Sequence, residues 1–319
     1  MRKNRLILLI LTIAMVVTII GCSNQQGAGQ NSSNNISALQ DEQSQPASST
    51  YPVTVTDVKE RNVTLEKKPE KIVSLTPSNT EILFALGLGD SIVGVDKYSN
   101  YPEQANSIKK VGDFNGPNIE LIAELKPDLV VAGGDIQEDA IKKLENLGIP
   151  VISSEAGGLE DLYKNIDVLG KATDTQQEAQ ELITKLKNNI QSIAQKVASL
   201  NKPKVYFNVD INGFYTAGKG TFISQLIEMA GGKNVADDVE GWPQYSVEKI
   251  IEKNPDIIIT TEHAGTIDDI KKISALKNIN AVKDGKIYSL DADIINRIGP
   301  RVDQALEGMA KVIHPEVFK

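Results

Sequence analysis

Few residues in this 319-residue chain have the type and spacing to do chemistry, and what they leave out is informative. Its two histidines, His263 and His314, lie 51 positions apart, and neither stands at ligand spacing from other metal-binding side chains, so no dedicated metal site is expected. His263 follows an apolar run and can touch a ligand, although a lone loop histidine is more often solvated. No Gly-x-Ser-x-Gly elbow is present to present a nucleophile. Gly213-Phe-Tyr-Thr-Ala-Gly218-Lys219-Gly220 approaches a phosphate-cradling loop between a strand and a helix, but Gly220 stands where a Ser or Thr hydroxyl would hold magnesium. Nucleotide hydrolysis is therefore not expected. Carboxylates are scattered at the density a solvated surface requires.

Loop aromatics say more. Tyr98, Tyr101, Phe114, Phe214, Tyr215 and Trp242 all fall just after apolar runs or beside Gly and Pro, in a chain that is only 5% aromatic. Strand ends are where open α/β sheets bind ligands, and an aromatic-lined cleft suits a large flat one. Glu120 and Glu248 each stand two residues past a helix-capping residue, where the helix field alone accounts for a carboxylate.

The remaining reactive group is Cys22, the only cysteine. Arg2, Lys3 and Arg5 precede an apolar run, Leu6 to Ile20, which ends at Ile19-Ile20-Gly21-Cys22. A basic start, a short apolar stretch and small residues at the cut describe a secretory signal, and about 15 apolar residues are short for a membrane span. Ile-Ile-Gly-Cys resembles the lipobox of bacterial lipoproteins, which implies that Cys22 takes a diacylglycerol and becomes the mature N-terminus. Two acyl chains anchor stably where one holds only marginally. Removing the three basic residues takes the net charge from −8 to −11, which argues against nucleic acid as a partner. Residues 23–50 are nearly all Ser, Asn, Gln, Gly and Ala, with Asp41 and Glu42 the only charges, and are expected to be a flexible tether of roughly 30 Å.

The remaining 270 or so residues must position the candidate groups. Val53, Val55, Val63 and Leu65 alternate as a short hairpin. Apolar runs at 72–75, 92–95, 129–131 and 151–152, and again at 205–207, 257–259 and 287–290, are separated by helical stretches. Such alternation predicts parallel sheets with helices on both faces. Ser78-Asn-Thr-Glu81 and Thr175-Gln-Gln-Glu178 fit capping boxes. Asn118-Ile-Glu-Leu-Ile-Ala-Glu-Leu-Lys-Pro-Asp-Leu-Val-Val131 aligns with Ser246-Val-Glu-Lys-Ile-Ile-Glu-Lys-Asn-Pro-Asp-Ile-Ile-Ile259 at an offset of 128, so two similar α/β halves are expected. Between them Ala179, Ile183, Leu186, Ile190, Ile193, Val197 and Leu200 recur at spacings of four and three. They predict a helix of roughly 36 Å lying along both halves.

Ser74-Leu-Thr-Pro-Ser-Asn-Thr-Glu-Ile-Leu-Phe-Ala-Leu-Gly87, Val95-Asp-Lys-Tyr-Ser-Asn-Tyr-Pro102, Val111-Gly-Asp-Phe114 and the Leu-Lys-Pro-Asp-Leu-Val run resemble the cobalamin and iron-siderophore substrate-binding proteins of ABC importers. The similarity covers roughly residues 69–319. It implies an α/β fold of two Rossmann-like lobes joined by a single long α-helix, the class III periplasmic-binding-protein architecture, with the ligand between the lobes. The expected organisation is a signal peptide at 1–21, lipidated Cys22 and tether at 22–50, a leading hairpin at 51–68, lobes at 69–172 and 203–319, and a connecting helix at 173–202.

The likeness is greatest to cobalamin binders. It implies that Tyr98, Phe114, Tyr215 and Trp242 contact a corrin, that Asp293 and Arg297 hold its amide side chains, and that Glu120 and Glu248 dock onto arginines of the permease. Gly133-Gly134 stands where cobalamin binders can carry a Trp. The resemblance therefore implies a lipid-anchored, extracytoplasmic, non-enzymatic monomer that delivers cobalamin to a permease and its ATPase, and needs no cofactor of its own. A ferric siderophore or haem is the alternative cargo. A tetrapyrrole chelatase, the alternative from another class, would need a cluster of bases that two scattered histidines do not supply.

Overall fold

The computed structural model describes residues 50–113, 116–133 and 138–318. The signal segment, Cys22 and residues 23–49 of the tether lie outside the described residues, as do Phe114 and Gly134. An antiparallel hairpin comes first, β1 (Val53–Thr56) on β2 (Asn62–Leu65) with Val55 opposite Val63. Alternation turns Val55, Val63 and Leu65 inward. The turn is held by the buried carboxylate of Asp57, which accepts N–H bonds from Lys59 (2.9 Å), Arg61 (3.0 Å) and Ser153 (3.1 Å) and pairs with the Arg61 guanidinium.

The amino half continues through β3 (Ile72–Ser74), α1 (Pro77–Ala85), β4 (Ile92–Asp96), β5 (Lys110–Asp113), β6 (Gly116–Pro117), α2 (Ile119–Leu125), β7 (Leu129–Ala132), α3 (Glu138–Asn146) and β8 (Val151–Ser153). Its sheet has the order β6-β5-β4-β3-β7-β8 and is parallel except for the short edge strand β6. Strand order reverses between β3 and β7, the kind of switch point at which such sheets open a crevice. The strands are short unbroken apolar runs because both faces are covered. Thr76, rather than Ser78, caps α1: its hydroxyl accepts from Asn79 N–H at 3.4 Å, and Pro77 fills the first turn, where a missing N–H costs nothing. Glu81 is consequently not a capping residue. It lies buried inside the helix.

The chain then runs through α4 (Leu159–Thr173) and α5 (Gln176–Val197) into the carboxyl half. That half contains β9 (Lys204–Asp210), β10 (Tyr215–Thr216), α6 (Phe222–Met229), β11 (Lys233–Asn234), α7 (Val247–Lys253), β12 (Ile257–Thr261), α8 (Ile267–Lys272), α9 (Asn280–Lys283), β13 (Ile287–Leu290), α10 (Ala292–Ile295) and α11 (Val302–Ile313). Its sheet has the order β10-β9-β12-β13, with β11 sharing the β10 edge of β9. All pairs are parallel except β10 on β9.

At about 1.5 Å per residue, the 22 residues of α5 span roughly 33 Å. Six of the seven periodic apolar residues, Ala179 to Val197, are buried on its inner face, and Leu200 sits in the turn beyond its end. α5 packs on α4 and α11, and a single core cluster runs from Ile72 and Val131 through this seam to Val205 and Ile259. The expected capping box at Thr175 does not form. The Thr175 hydroxyl is 2.9 Å from that of Thr173, because α4 ends only two residues earlier and brings the two buried hydroxyls together.

The internal repeat is geometric as well as textual. Asn118 caps α2 and Ser246 caps α7, each through its side chain. Both helices stop at a left-handed residue, Lys126 (φ 51°) and Asn254 (φ 45°), followed by Pro-Asp. The two aspartates then do the same work: Asp128 accepts the Lys71 N–H at 3.0 Å and Asp256 the Lys204 N–H at 2.9 Å, pinning the starts of β3 and β9.

Candidate ligand-binding site

A cavity of about 390 Å³ opens at the carboxyl ends of β9 and β12. Phe207 and Val209 of β9, Phe222 and Ile223 of α6, Trp242, and the Ile295–Ile298 stretch supply most of its apolar wall, with Thr261, His263 and Ala264 from the end of β12 and the turn after it. The turn is pinned on both sides. Ala264 N–H donates to Thr261 O (3.0 Å), Ala264 O accepts from Ile211 N–H (3.1 Å) and Asn208 Nδ2 (3.0 Å), and the Glu262 carboxylate accepts from Ala292 N–H at 3.1 Å.

The stretch behind Ile295 and Ile298 connects this cavity to the amino half. Arg297 forms an ion pair with Asp293 at 2.6 Å, donates to Asn100 Oδ1 (2.7 Å) and to Tyr98 O (3.2 Å), and reaches Glu81 at 3.2 Å. Asn100 Nδ2 closes the circle on Asp293 at 2.8 Å. Arg301, beneath it, donates twice to Glu81 and stacks 4.1 Å from the Tyr101 ring. Burial works against the Arg301 charge, but the Glu81 hydrogen bonds outweigh it and hold its pKa above the ordinary value. Tyr98 is set in place from below by Asp96, which accepts its N–H at 2.7 Å. Burial nevertheless lifts the Asp96 carboxyl above its usual range.

Trp242 and Tyr215 are brought together by irregular pairing. Thr216 N–H donates to Pro243 O (3.0 Å), Gly218 N–H to Gly241 O (2.8 Å) and Lys219 N–H to Val239 O (2.7 Å). The phosphate-loop look-alike thus spends these amides on the segment that carries Trp242. Gly218 has to be glycine, since a Cβ there would run into the Val239 carbonyl. Tyr98, Tyr101, Tyr215 and Trp242 are between 43% and 54% exposed, unusual for large aromatics in a chain with so few.

Of the residues expected to touch ligand, the structure joins Asp293 to Arg297 and, through Arg297, to the Tyr98 backbone. Trp242 lines the cavity, and Tyr215 lies on the strand beside it without lining it. Phe114 lies outside the described residues. Phe214, also noted among the loop aromatics, packs partly buried against the outer core of the carboxyl half. Glu120 and Glu248 are exposed in the first turns of α2 and α7. The sequence reading missed the inter-half ion pairs of Glu81 and Arg301, and the apolar wall formed by Phe207, Phe222 and Ile295.

Among the described residues no group of three or more His, Cys, Asp or Glu is placed to hold a metal ion, and no helix is long and apolar enough to cross a membrane. Two parallel α/β sheets beside one long helix, with an aromatic-rimmed cavity at the strand ends, define a two-lobed binding protein. Residues 72–294 match the periplasmic binding protein family, and the chain belongs to it. It is 38% identical over 277 residues to the ABC transporter substrate-binding lipoprotein YvrC of Bacillus subtilis, covering 84% of this chain and 88% of that one. A possible iron-binding, periplasmic solute-binding protein of Staphylococcus epidermidis superposes with a TM-score of 0.71 at 36% identity, over 78% of this chain and 100% of its own. The periplasmic vitamin B12-binding protein of Vibrio cholerae does so with a TM-score of 0.68 at 31% identity, over 77% and 97%. The family is one of extracytoplasmic substrate-binding proteins of transport.

Proposed function

We propose that the protein captures cobalamin, or a related corrinoid, at the aromatic-rimmed cavity and delivers it to an ABC permease and its ATPase. One arrangement carries this reading: an apolar cavity lined by exposed Trp242 and by Ile295 and Ile298, the same stretch whose Asp293–Arg297 pair bonds to the Tyr98 backbone, with exposed Tyr215 on the strand paired to β9. Flat aromatic faces suit a corrin ring, and a carboxylate beside a guanidinium suits its ring of amide side chains, which need both donors and acceptors. Likeness to the vitamin B12-binding protein of Vibrio cholerae supports the same ligand. Glu120 and Glu248, at equivalent places in the two halves, are the contacts for the permease. Cys22 carries the lipid that holds a monomer at the membrane.

Titration of the full-length protein, purified in detergent, with cyanocobalamin tests the reading through the fluorescence of Trp242, the sole tryptophan. Saturable quenching is expected. No saturable change, together with tight binding of a ferric siderophore or haem, would overturn the corrinoid assignment.

A further inference from the structure

The two histidines have different fates in the fold. His314 is buried, with Nδ1 3.3 Å from the Glu316 carboxylate and Nε2 3.2 Å from Gly231 O, so both ring nitrogens are engaged. His263 lines the cavity, and its imidazole has no hydrogen-bond or ion-pair partner among the described residues. Its backbone is nonetheless fixed, because the residues on either side of it are tied to Ala292, Thr261, Ile211 and Asn208. The neighbouring carboxylate, Glu262, is drawn to the Ala292 N–H. Phe207, Val209, Phe222, Ile223, Ile295 and Ile298 have no metal-ligating atom, and Thr261, Asn296 and Trp242 offer only weak or donor groups. Among the described residues, His263 is thus the one strong metal ligand on the wall: a free imidazole on a rigid turn facing an apolar space.

Resting on the corrinoid reading above, we propose that His263 is an axial ligand to the metal of the bound chelate. A corrinoid cobalt(III) carrying an exchangeable water is the substrate class this favours. A ring-nitrogen lone pair forms the Co–N bond as the Co–O bond to water breaks. The water leaves neutral, the other ring nitrogen keeps its proton, and neither the oxidation state of cobalt nor the net charge changes. Imidazole is a common biological metal ligand, and its orientation here comes from the turn rather than from a hydrogen bond to the ring. The contact would select forms whose upper face is open over forms already capped by a tight ligand.

The test compares aquocobalamin with cyanocobalamin on the full-length protein in detergent, for the wild type and for His263→Ala and His263→Gln. Wild-type protein is expected to shift the near-ultraviolet band of aquocobalamin and to leave that of cyanocobalamin in place. Both variants should lose the shift and should weaken aquocobalamin binding at least about tenfold more than they weaken cyanocobalamin binding, because cyanocobalamin loses only the wall contact of His263 and not a bond to cobalt. An unshifted spectrum for tightly bound aquocobalamin, or a shift that survives in the variants, overturns the coordination alone. Failure of both cobalamins to bind the wild type overturns the corrinoid reading and the coordination with it.

Discussion

Glu81 and Arg301, 220 positions apart, meet in a two-point ion pair, with Arg301 Nη2 2.6 Å from one carboxylate oxygen and Nε 2.8 Å from the other. The pair ties the first helix of the amino half to the start of the last helix of the carboxyl half, and both side chains are almost fully buried. Removing one member of such a pair strands the other charge, a cost of about 3–5 kcal/mol. Glu81→Ala should therefore lower the urea midpoint by that equivalent. Glu81→Gln, which keeps an acceptor, should lose less. Equal losses for the two variants would mean that the charge matters less than the packing.

Acid should loosen the leading hairpin before the rest of the molecule. Burial pushes the Asp57 carboxyl up, but hydrogen bonds from Arg61 and Ser153 and the Arg61 charge outweigh it, and its pKa lies below the ordinary value. A carboxylate depressed in this way contributes its full stabilisation above its unfolded-state pKa, near pH 4, and loses it as pH falls through the folded-state value. Asp57→Asn should cost about 2 kcal/mol at pH 7, typical of a charged hydrogen bond. The gap between wild type and variant in urea midpoints should be flat from about pH 7 to 5 and close below about pH 4. A gap that keeps its full neutral-pH size down to pH 2.5 would point to packing instead.

The elements that local pattern governs were legible in the sequence: the buried strands, the apolar seam of α5, and the repeated cap-helix-Pro-Asp unit whose two aspartates pin equivalent strands. What was not legible depends on partners far away in the chain. Ser78-x-x-Glu81 has the spacing of a capping box, and nothing local reveals that Pro77 moves the helix start to Thr76 or that Arg301 waits across the molecule. Asp293 and Arg297 are visible as a helical i, i+4 pair, but Asn100 and the Tyr98 carbonyl, which share them, come from the other half. Phe207 and Phe222 carry the pattern of core residues, which they are; that they also wall a cavity depends on how β9 and α6 meet Trp242.

The glycines of the 213–220 loop should separate steric from conformational roles. Gly218→Ala drives a methyl into the Val239 carbonyl, and overpacking of this kind costs about 1–3 kcal/mol. Relief requires the 239–242 segment to move, so the emission of Trp242 should shift. Gly220 has φ +81° and open space around its Cβ position, so Gly220→Ala meets only backbone strain, about 1–2 kcal/mol. Its melting temperature should fall with the Trp242 emission unchanged. A Trp242 shift in both variants would show that the loop moves as one piece.

Equivalent carboxylates at the first turns of two equivalent helices can serve each helix locally or serve a two-fold partner together. Glu248 shows the local claim: bonds from its own N–H and from Ser246 lower its pKa, although the side chain is exposed. A purely local role predicts that replacing Glu120 and Glu248 by Ala loosens each helix start and shows up in thermal unfolding, with single variants adding to the double. A docking role predicts the reverse: unchanged melting temperature, cobalamin affinity within about twofold of wild type, and loss of uptake into cells that depend on this transporter, with the double variant far worse than either single one because each half contributes one contact. Charge-reversing permease variants that restore uptake to Glu120→Arg/Glu248→Arg would place the contact directly. Weakened cobalamin binding in the double alanine variant would return both residues to the fold and leave the docking surface to be sought elsewhere.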